Sequence, residues 1–530
     1  MAVARLATIF RDDFGVQGRS DDQRELLDAE SVAGHLLKPG SVFGFLSAHR
    51  RELFPDEMFA DLFPTGRGRP SVPADVMASV ITLQALHGLS DSETVDAVTF
   101  DLRWKAACGL PVTAGAFHAT TLTYWRRRLA ASKRPNRIFE AVKAVVAQTG
   151  ALTGKTRRAL DSTVLDDAVA TQDTVTQLIG AIRRVRREVA GAAEVIAQYC
   201  TGHDYDDPGK PAIAWDDQQA RDRLVDALVS DAHRLLGHLP EQELGPRAAE
   251  AVALLALVAG QDVEPVEGSD GTDGRWRIAQ RVAPDRVIST VDPDTRHVHK
   301  TVARRQDGFK GHLAIEPDTG IITDCALTGA SGADNHEAAV GLGLLDGEDE
   351  PVTVLADSAY GSGQFRAELA ERGHTDRVKP APVPRTIADG FTVDDFTVDH
   401  NNRTATCPNG LTRPISRSGI ATFGVVCTGC PLRARCTRSR KGKQLKVGAH
   451  DARQRAARRA ARDAHWLAEY RQHRPMVERT IAWLTRGNRK LRYRGVIKND
   501  HWLHHRAAAL NLRRLITLGL FHDGSAWVLA

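Results

Sequence analysis

An α/β fold is predicted for this chain: a mixed sheet preceded by an all-helical N-terminal unit, interrupted by a helical insertion and followed by a small cysteine-rich segment. Three observations predict it. Apolar, β-branched runs recur in "KTRRALDSTVLDDAVA", "RVISTVDPDTR", "FKGHLAIEPDTGIITDCALTG" and "EPVTVLADS". Apolar residues spaced by three and four fill "VTQLIGAIRRVRREVAGAAEVI" and "RDRLVDALVSDAHRLLGHL", placing helices between the first strand and the rest. Before residue 150 the chain is punctuated as short helices by proline, glycine and capping residues.

The 530 residues exceed one ordinary core and suggest roughly two to four folding units. With 42% hydrophobic and 26% charged residues the chain is globular rather than disordered. The longest apolar stretch, Ala251 to Gly260, is about half the length a membrane helix needs, so no membrane partner is expected. The opening "MAVARLATIFRDDFG" shows no secretory leader, and a cytoplasmic, nucleoid-associated location is expected.

Within the N-terminal unit, Pro73 opens a helix to about His87, Gly88 closes it, and Ser90 with Glu93 forms a capping box for the next. "ATTLTYWRRRL" starts with threonines able to cap and carries Arg126, Arg127 and Arg128. Two helices and a short turn followed by an arginine-bearing helix suit a DNA reader or a helical bundle with a basic edge.

In the α/β part, Asp318, Thr319 and Gly320 make a hairpin turn between two alternating runs, and "GQFRAELAERG" is a helix after the strand ending at Asp357. Beyond Pro380 come turns and four of the seven cysteines, Cys407, Cys427, Cys430 and Cys436. The knuckle "CTGCPLRARC" with Cys407 suits tetrahedral zinc or a group of reduced thiols. Net charge is only +5, yet Lys and Arg concentrate after Arg433, as in Arg455, Arg458, Arg459 and Arg462, making either a solvated face or a phosphate contact surface. A helical pattern resumes at about Trp466. Glu478 then faces the same side as Arg474 if helix runs through Pro475, or lies in the second turn of a helix starting there.

Asp161 on one strand, Asp357 at the end of another and Glu478 on a late helix are three acids that one sheet can bring together. Carboxylate oxygens suit magnesium, and a two-ion site activates one oxygen and stabilises the leaving one in phosphodiester displacement. Asp166, Asp167 and Asp292 are equally imaginable ligands.

"ALDSTVLDDA", the "FKGHLAIEPDTG" hairpin, "VLADSAYGS" and "YRQHRPMVERTIAWLTR" resemble, in that order, the blocks of DDE-type bacterial insertion-sequence transposases. The front, from "GRPSVPADVMASV", is similar to the InsH-type N-terminal domain of the insertion-sequence eleven-eighty-two family, in which the "CTGCPLRARC" block also recurs. The resemblance implies a ribonuclease-H-like core that cuts transposon ends and joins their 3′ hydroxyls to target DNA with two Mg2+ ions, for which Mn2+ can substitute. It makes Asp161, Asp357 and Glu478 the catalytic and metal-holding acids, with possible structural Zn2+ on the four cysteines. Double-stranded DNA, as transposon ends and target, is the implied partner, with a homo-oligomer in the synaptic complex. Arg474 keeps the family's distance to the glutamate, Tyr470 is one residue farther away than usual, and Thr485 stands at the lysine position, for which Arg486 or Lys490 can substitute; Arg126, Arg127, Arg128, Arg474, Arg486 and Lys490 are the expected DNA-binding residues.

The expected divisions are a helical DNA-binding domain over 1–150, a catalytic core over 155–400 with its insertion at about 174–281, a four-cysteine segment over 401–445, and basic and catalytic helices over 446–520. Alternative functions are a catalytically silent, host-retained DNA-binding protein and a metal-dependent nuclease that joins no strands.

Overall fold

The computed structural model describes residues 16–20, 27–269, 275–279, 283, 285–301 and 304–530. Residues 1–15, read above for a leader, and Arg281, the expected end of the insertion, lie outside them.

Among the described residues, the N-terminal unit starts with a short helix, Ala29–Ala33, and continues with α1 (Val42–Leu53), α2 (Ala74–His87), α3 (Asp91–Phe100), α4 (Leu102–Cys108), α5 (Ala119–Ala131) and α6 (Arg137–Gln148). The capping box forms as the sequence predicts, with Ser90 Oγ accepting from Glu93 N and Glu93 accepting from Ser90 N. Gly88 ends α2 in the left-handed region, and a Cβ there would lie 2.2 Å from Asn488 Oδ1, so this turn packs against the chain just past Glu478. The expected threonine cap of α5 is replaced: His118 lies before the helix and its ring accepts from Thr120 N at 3.3 Å. Helix α2 is buried nearly all round, because it is the centre of this unit rather than its surface.

The sheet is built on β1 (Arg157–Asp166), flanked by β3 (Arg304–Glu316) on one side and β5 (Thr353–Ala356) on the other. Its order is β4 (Ile321–Gly329), β3, β1, β5, β6 (Thr375–Val378), with β2 (Arg296–Thr301) beside the first part of β3. β3 runs antiparallel to both of its neighbours, β1 and β4, whereas β5 and β6 run parallel to β1. The β3–β4 hairpin closes as expected: Glu316 accepts from Asp318 N and Thr319 N, and Gly320 takes φ 72°.

One expected strand does not form. "RVISTVDPDTR" is irregular until Arg296, because glutamine side chains bind its backbone: Val287 N donates to Gln261 Oε1 and Thr290 N to Gln172 Oε1.

Between β1 and β2 the chain folds α7 (Thr174–Glu188), α8 (Ala192–Tyr199), α9 (Gln218–His238) and α10 (Pro246–Gln261) around a separate apolar cluster that includes Leu178, Leu228 and Leu255. Asp231, wholly buried on α9, accepts from Thr201 N, Gly202 N and Tyr205 Oη at 3.0, 2.7 and 2.8 Å, fastening the α8–α9 connection. The cysteine segment has its own small core of Phe396, Ala405, Phe423 and Leu445.

The chain returns to the sheet through α11 (Asp451–Ala460), α12 (Ala464–His473), α13 (Pro475–Thr485) and α14 (Val496–Thr517). Helix α11 lies inside the basic run, ahead of the helical pattern expected from Trp466. Helix α14 covers β4, an edge strand, by direct pairing: Asn511 Oδ1 accepts from Ile322 N and its Nδ2 donates to Ile322 O, both at 2.8 Å. One apolar cluster runs from the N-terminal helices through α13 and α14 to the sheet face carrying Ala159, Leu313 and Leu355; Leu160, Ala314 and Val354 line the opposite face.

Candidate active site

Strand register positions two of the three acids. Ala159 of β1 pairs with Leu355 of β5 in a parallel ladder, so two residues farther along Asp161 is level with Asp357. Both alternate onto the face of Ala159 and Leu355, which α13 and α14 cover, at the roughly 4.8 Å spacing of neighbouring strands. Asp357 ends the β5 line because its Oδ1 accepts from Ala359 N at 2.9 Å, turning the chain away from the sheet. An acid at that point is held by backbone and half exposed.

Helix α13 brings the third. Pro475 is its first residue, and Glu478 lies in its first turn rather than the expected second, while Arg474 keeps helical geometry as the junction with α12. Both readings of Pro475 are thus partly met. Arg474 Nη2 lies 2.9 Å from Asp161 Oδ2 and Nη1 lies 3.5 Å from Glu478 Oε1, so one buried guanidinium joins the two acids. The Glu478 side chain is 65% exposed, and its carboxylate is free to turn. Burial raises the pKa of Asp161; Arg474 opposes this, and Asp357 adds to it. Arg474 is held charged chiefly by Asp161 against the cost of burial. A buried acid beside a second carboxylate favours additional positive charge, and Arg474 Nε has no hydrogen-bond partner of its own.

Two tyrosines frame the acids. Tyr470 Oη donates to Ala356 O at 3.3 Å, fixing the end of β5. Tyr360, in the turn after Asp357, is buried with an unpartnered hydroxyl, and burial followed by the charge of Asp161 raises its pKa. Sequence reasoning passed over Tyr360; its signal is an aromatic ring inside the small-residue run "AYGSG".

The expected DNA-contacting cations divide. Arg126 pairs with Asp91 and lies over the Tyr493 ring at 5.2 Å, and Arg128 donates to Leu62 O at 2.7 Å, so both tie helices together. Arg127, Arg486 and Lys490 are exposed, whereas Arg474 faces the acids. The chain around Lys490 runs beside the end of β1, where Leu491 N donates to Asp166 O at 2.8 Å. In the basic run Arg458 makes a forked pair with Asp394, and Arg455 donates to Asp451 and to the carbonyls of Val393 and Phe396. Those two arginines dock α11 on the cysteine segment, while Arg459 is exposed and Arg462, also exposed, reaches Asp394 at 3.9 Å.

Cys407, Cys427, Cys430 and Cys436 are all half-buried and reduced, and all four line one cavity. Burial raises the pKa of Cys436, with the other three thiols adding to the rise. Among the described residues, no group of three or more His, Cys, Asp or Glu side chains is drawn together closely enough to hold a metal ion. The donor types nevertheless fit: carboxylate oxygens on adjacent strands for a hard divalent ion, thiols around a shared cavity for zinc. Among the described residues, no helix is long and apolar enough to cross a membrane.

Residues 406–516 match the family described as Transposase DDE domain, and residues 45–128 match Transposase domain (DUF772). The first match includes Glu478 and the four cysteines but neither aspartate; the second includes α2 to α4 and most of α5. Together they indicate a transposase. No curated protein and no solved structure matches the chain.

Proposed function

We propose that this chain is a DNA transposase that binds the terminal inverted repeats of its insertion sequence, cleaves the DNA at those ends and joins them to target DNA. The observation that carries the reading is the alignment of Asp161 with Asp357 on adjacent parallel strands, with Glu478 joined to Asp161 through Arg474. Three antiparallel strands extended by two parallel ones support a ribonuclease-H-like core. The two transposase-domain matches support the substrate class, double-stranded DNA.

In this reading Asp161, Asp357 and Glu478 would hold Mg2+, two ions with Mn2+ able to substitute, which would supply charge neutralisation and oxygen activation in phosphodiester transfer. Arg474 opposes the rise that burial imposes on the Asp161 pKa and fixes the position of its carboxylate. Tyr470 fixes the strand end from which Asp357 projects. Glu478, 65% exposed and 3.5 Å from Arg474, would supply the third carboxylate. Zn2+ bound by Cys407, Cys427, Cys430 and Cys436 would stiffen the cysteine segment on which α11 docks. Two ends must be synapsed, so the working form is a homo-oligomer, associated with the nucleoid.

The test incubates the full chain with labelled terminal DNA and Mg2+ and maps the products. Nicks at the ends followed by joined products are expected. Binding without nicks would identify a silent DNA-binding protein, and nicks never followed by joining would identify a nuclease.

A further inference from the structure

Where the C-terminal ends of α2 and α13 meet the second half of α14, an open cleft of about 500 Å3 is walled by His87, Trp483, Arg486, Arg506, Arg513 and Arg514. Four guanidiniums converge there. Among the described residues, none of the four forms an ion pair with a carboxylate. Arg506 is accounted for: it is buried and donates to the carbonyls of Ala85, Leu86, Trp483 and Leu484, closing the last turns of α2 and α13.

The other three have no comparable role. Arg513 lies over the Trp483 ring at 5.8 Å, and Arg514 uses only its Nε, on Thr319 O. Arg486 follows α13 and is exposed. The C-terminal ends of α2, α13 and α14 contribute about half a negative charge each, which leaves roughly two to three positive charges unbalanced. The crowding registers in the groups themselves: burial and then Arg513 push Arg506 down to about 10, and burial and then Arg486 lower Arg513.

We propose that this cleft binds the phosphodiester backbone of the DNA strand that passes the catalytic acids, with Arg486, Arg513 and Arg514 as its donors. This rests on the transposase reading and assigns its substrate a path. Eight residues of helix separate Glu478 from Arg486, about 12 Å, which corresponds to roughly three to four nucleotides of axial rise from the scissile bond. Guanidinium forks suit phosphate oxygens, and the Trp483 ring braces Arg513 in place.

The experiment compares the full chain with its R513Q/R514Q variant on duplex end DNA across a salt series. Loss of two phosphate contacts should reduce the slope of log K against log salt by about 1.8. As a check independent of the variant's folding, neutral methylphosphonate linkages three and four nucleotides from the cut should reduce the wild-type slope by a similar amount. Unchanged slopes in a chain that binds and cleaves DNA would overturn the cleft assignment and leave the transposase reading standing. If the wild-type chain binds no DNA, the transposase reading fails and inorganic pyrophosphate decides. Thermal stabilisation by pyrophosphate that is lost in R513Q/R514Q supports a phosphate site, and equal response in the two proteins removes it. Pyrophosphate stabilisation together with an unchanged DNA slope would mark a small-anion site instead.

Discussion

Arg474 stands 2.9 Å from Asp161, and both side chains are largely withdrawn from water. Breaking such a pair leaves one charge buried alone, a cost of about 3 kcal/mol or more. Arg474→Gln should therefore destabilise the chain by about that amount in urea unfolding. Adding Asp161→Asn should recover part of it, because the residual carboxylate no longer needs a partner. Strictly additive effects in the double variant would show that the pair is not energetically coupled.

Asp357 is held by the turn after β5 and carries no structural ion pair among the described residues. Asp357→Asn keeps the acceptor oxygen for Ala359 N and removes the charge. End cleavage should fall by about 10²- to 10³-fold or more, the scale for losing one preorganised charge-stabilising group, with binding to end DNA little changed. Gel-shift and nicking assays read the two quantities separately, and parallel loss of both would make Asp357 a structural residue.

The four cysteines of the 401–445 segment share a cavity, whereas Cys108 and Cys325 are buried elsewhere. Adding Zn2+ to metal-free protein should protect four thiols from a disulfide reagent and bind about one ion per chain. Cys430→Ser should lower that affinity by at least about tenfold. Thiol reactivity indifferent to zinc would leave the group as reduced core cysteines.

His312, next to the Asp161 level on β3, is buried, and burial pushes its pKa down to about 4. The folded state takes up its proton less readily than the unfolded one, so stability is full above about pH 6.5 and falls as pH drops toward 4. The loss from this residue approaches roughly 3 kcal/mol. His505, buried on α14 and lowered to about 3, acts in the same direction. His312→Gln should flatten the stability profile between pH 6.5 and 4, as measured by chemical unfolding. An equally steep profile would place the acid sensitivity elsewhere.

Local signals carried most of the fold. The Ser90–Glu93 box, the Gly88 stop, the Asp318–Gly320 turn and the helices of the insertion are each written in a few adjacent residues. What failed was decided at a distance. The run Arg286–Arg296 looks like a strand, yet Gln172 and Gln261 occupy its backbone, and no window around it contains them. Arg126, Arg128, Arg455 and Arg458 read as surface cations, but each finds acids or carbonyls supplied by other segments. The acids of the site stood out by position and by family resemblance. Their mutual register depends on β1 meeting β5 across almost 200 residues, which composition and periodicity do not encode.

The placement of the insertion also governs when the protein can assemble. Asp161 is opposite Leu313, about 150 residues later in the chain. At about 5 to 20 residues per second on a ribosome, the central strand waits roughly 8 to 30 s before its antiparallel neighbour exists. During that interval four helices with a core of their own can already condense beside it. Sheet closure around β1 therefore follows synthesis of the whole insertion rather than preceding it.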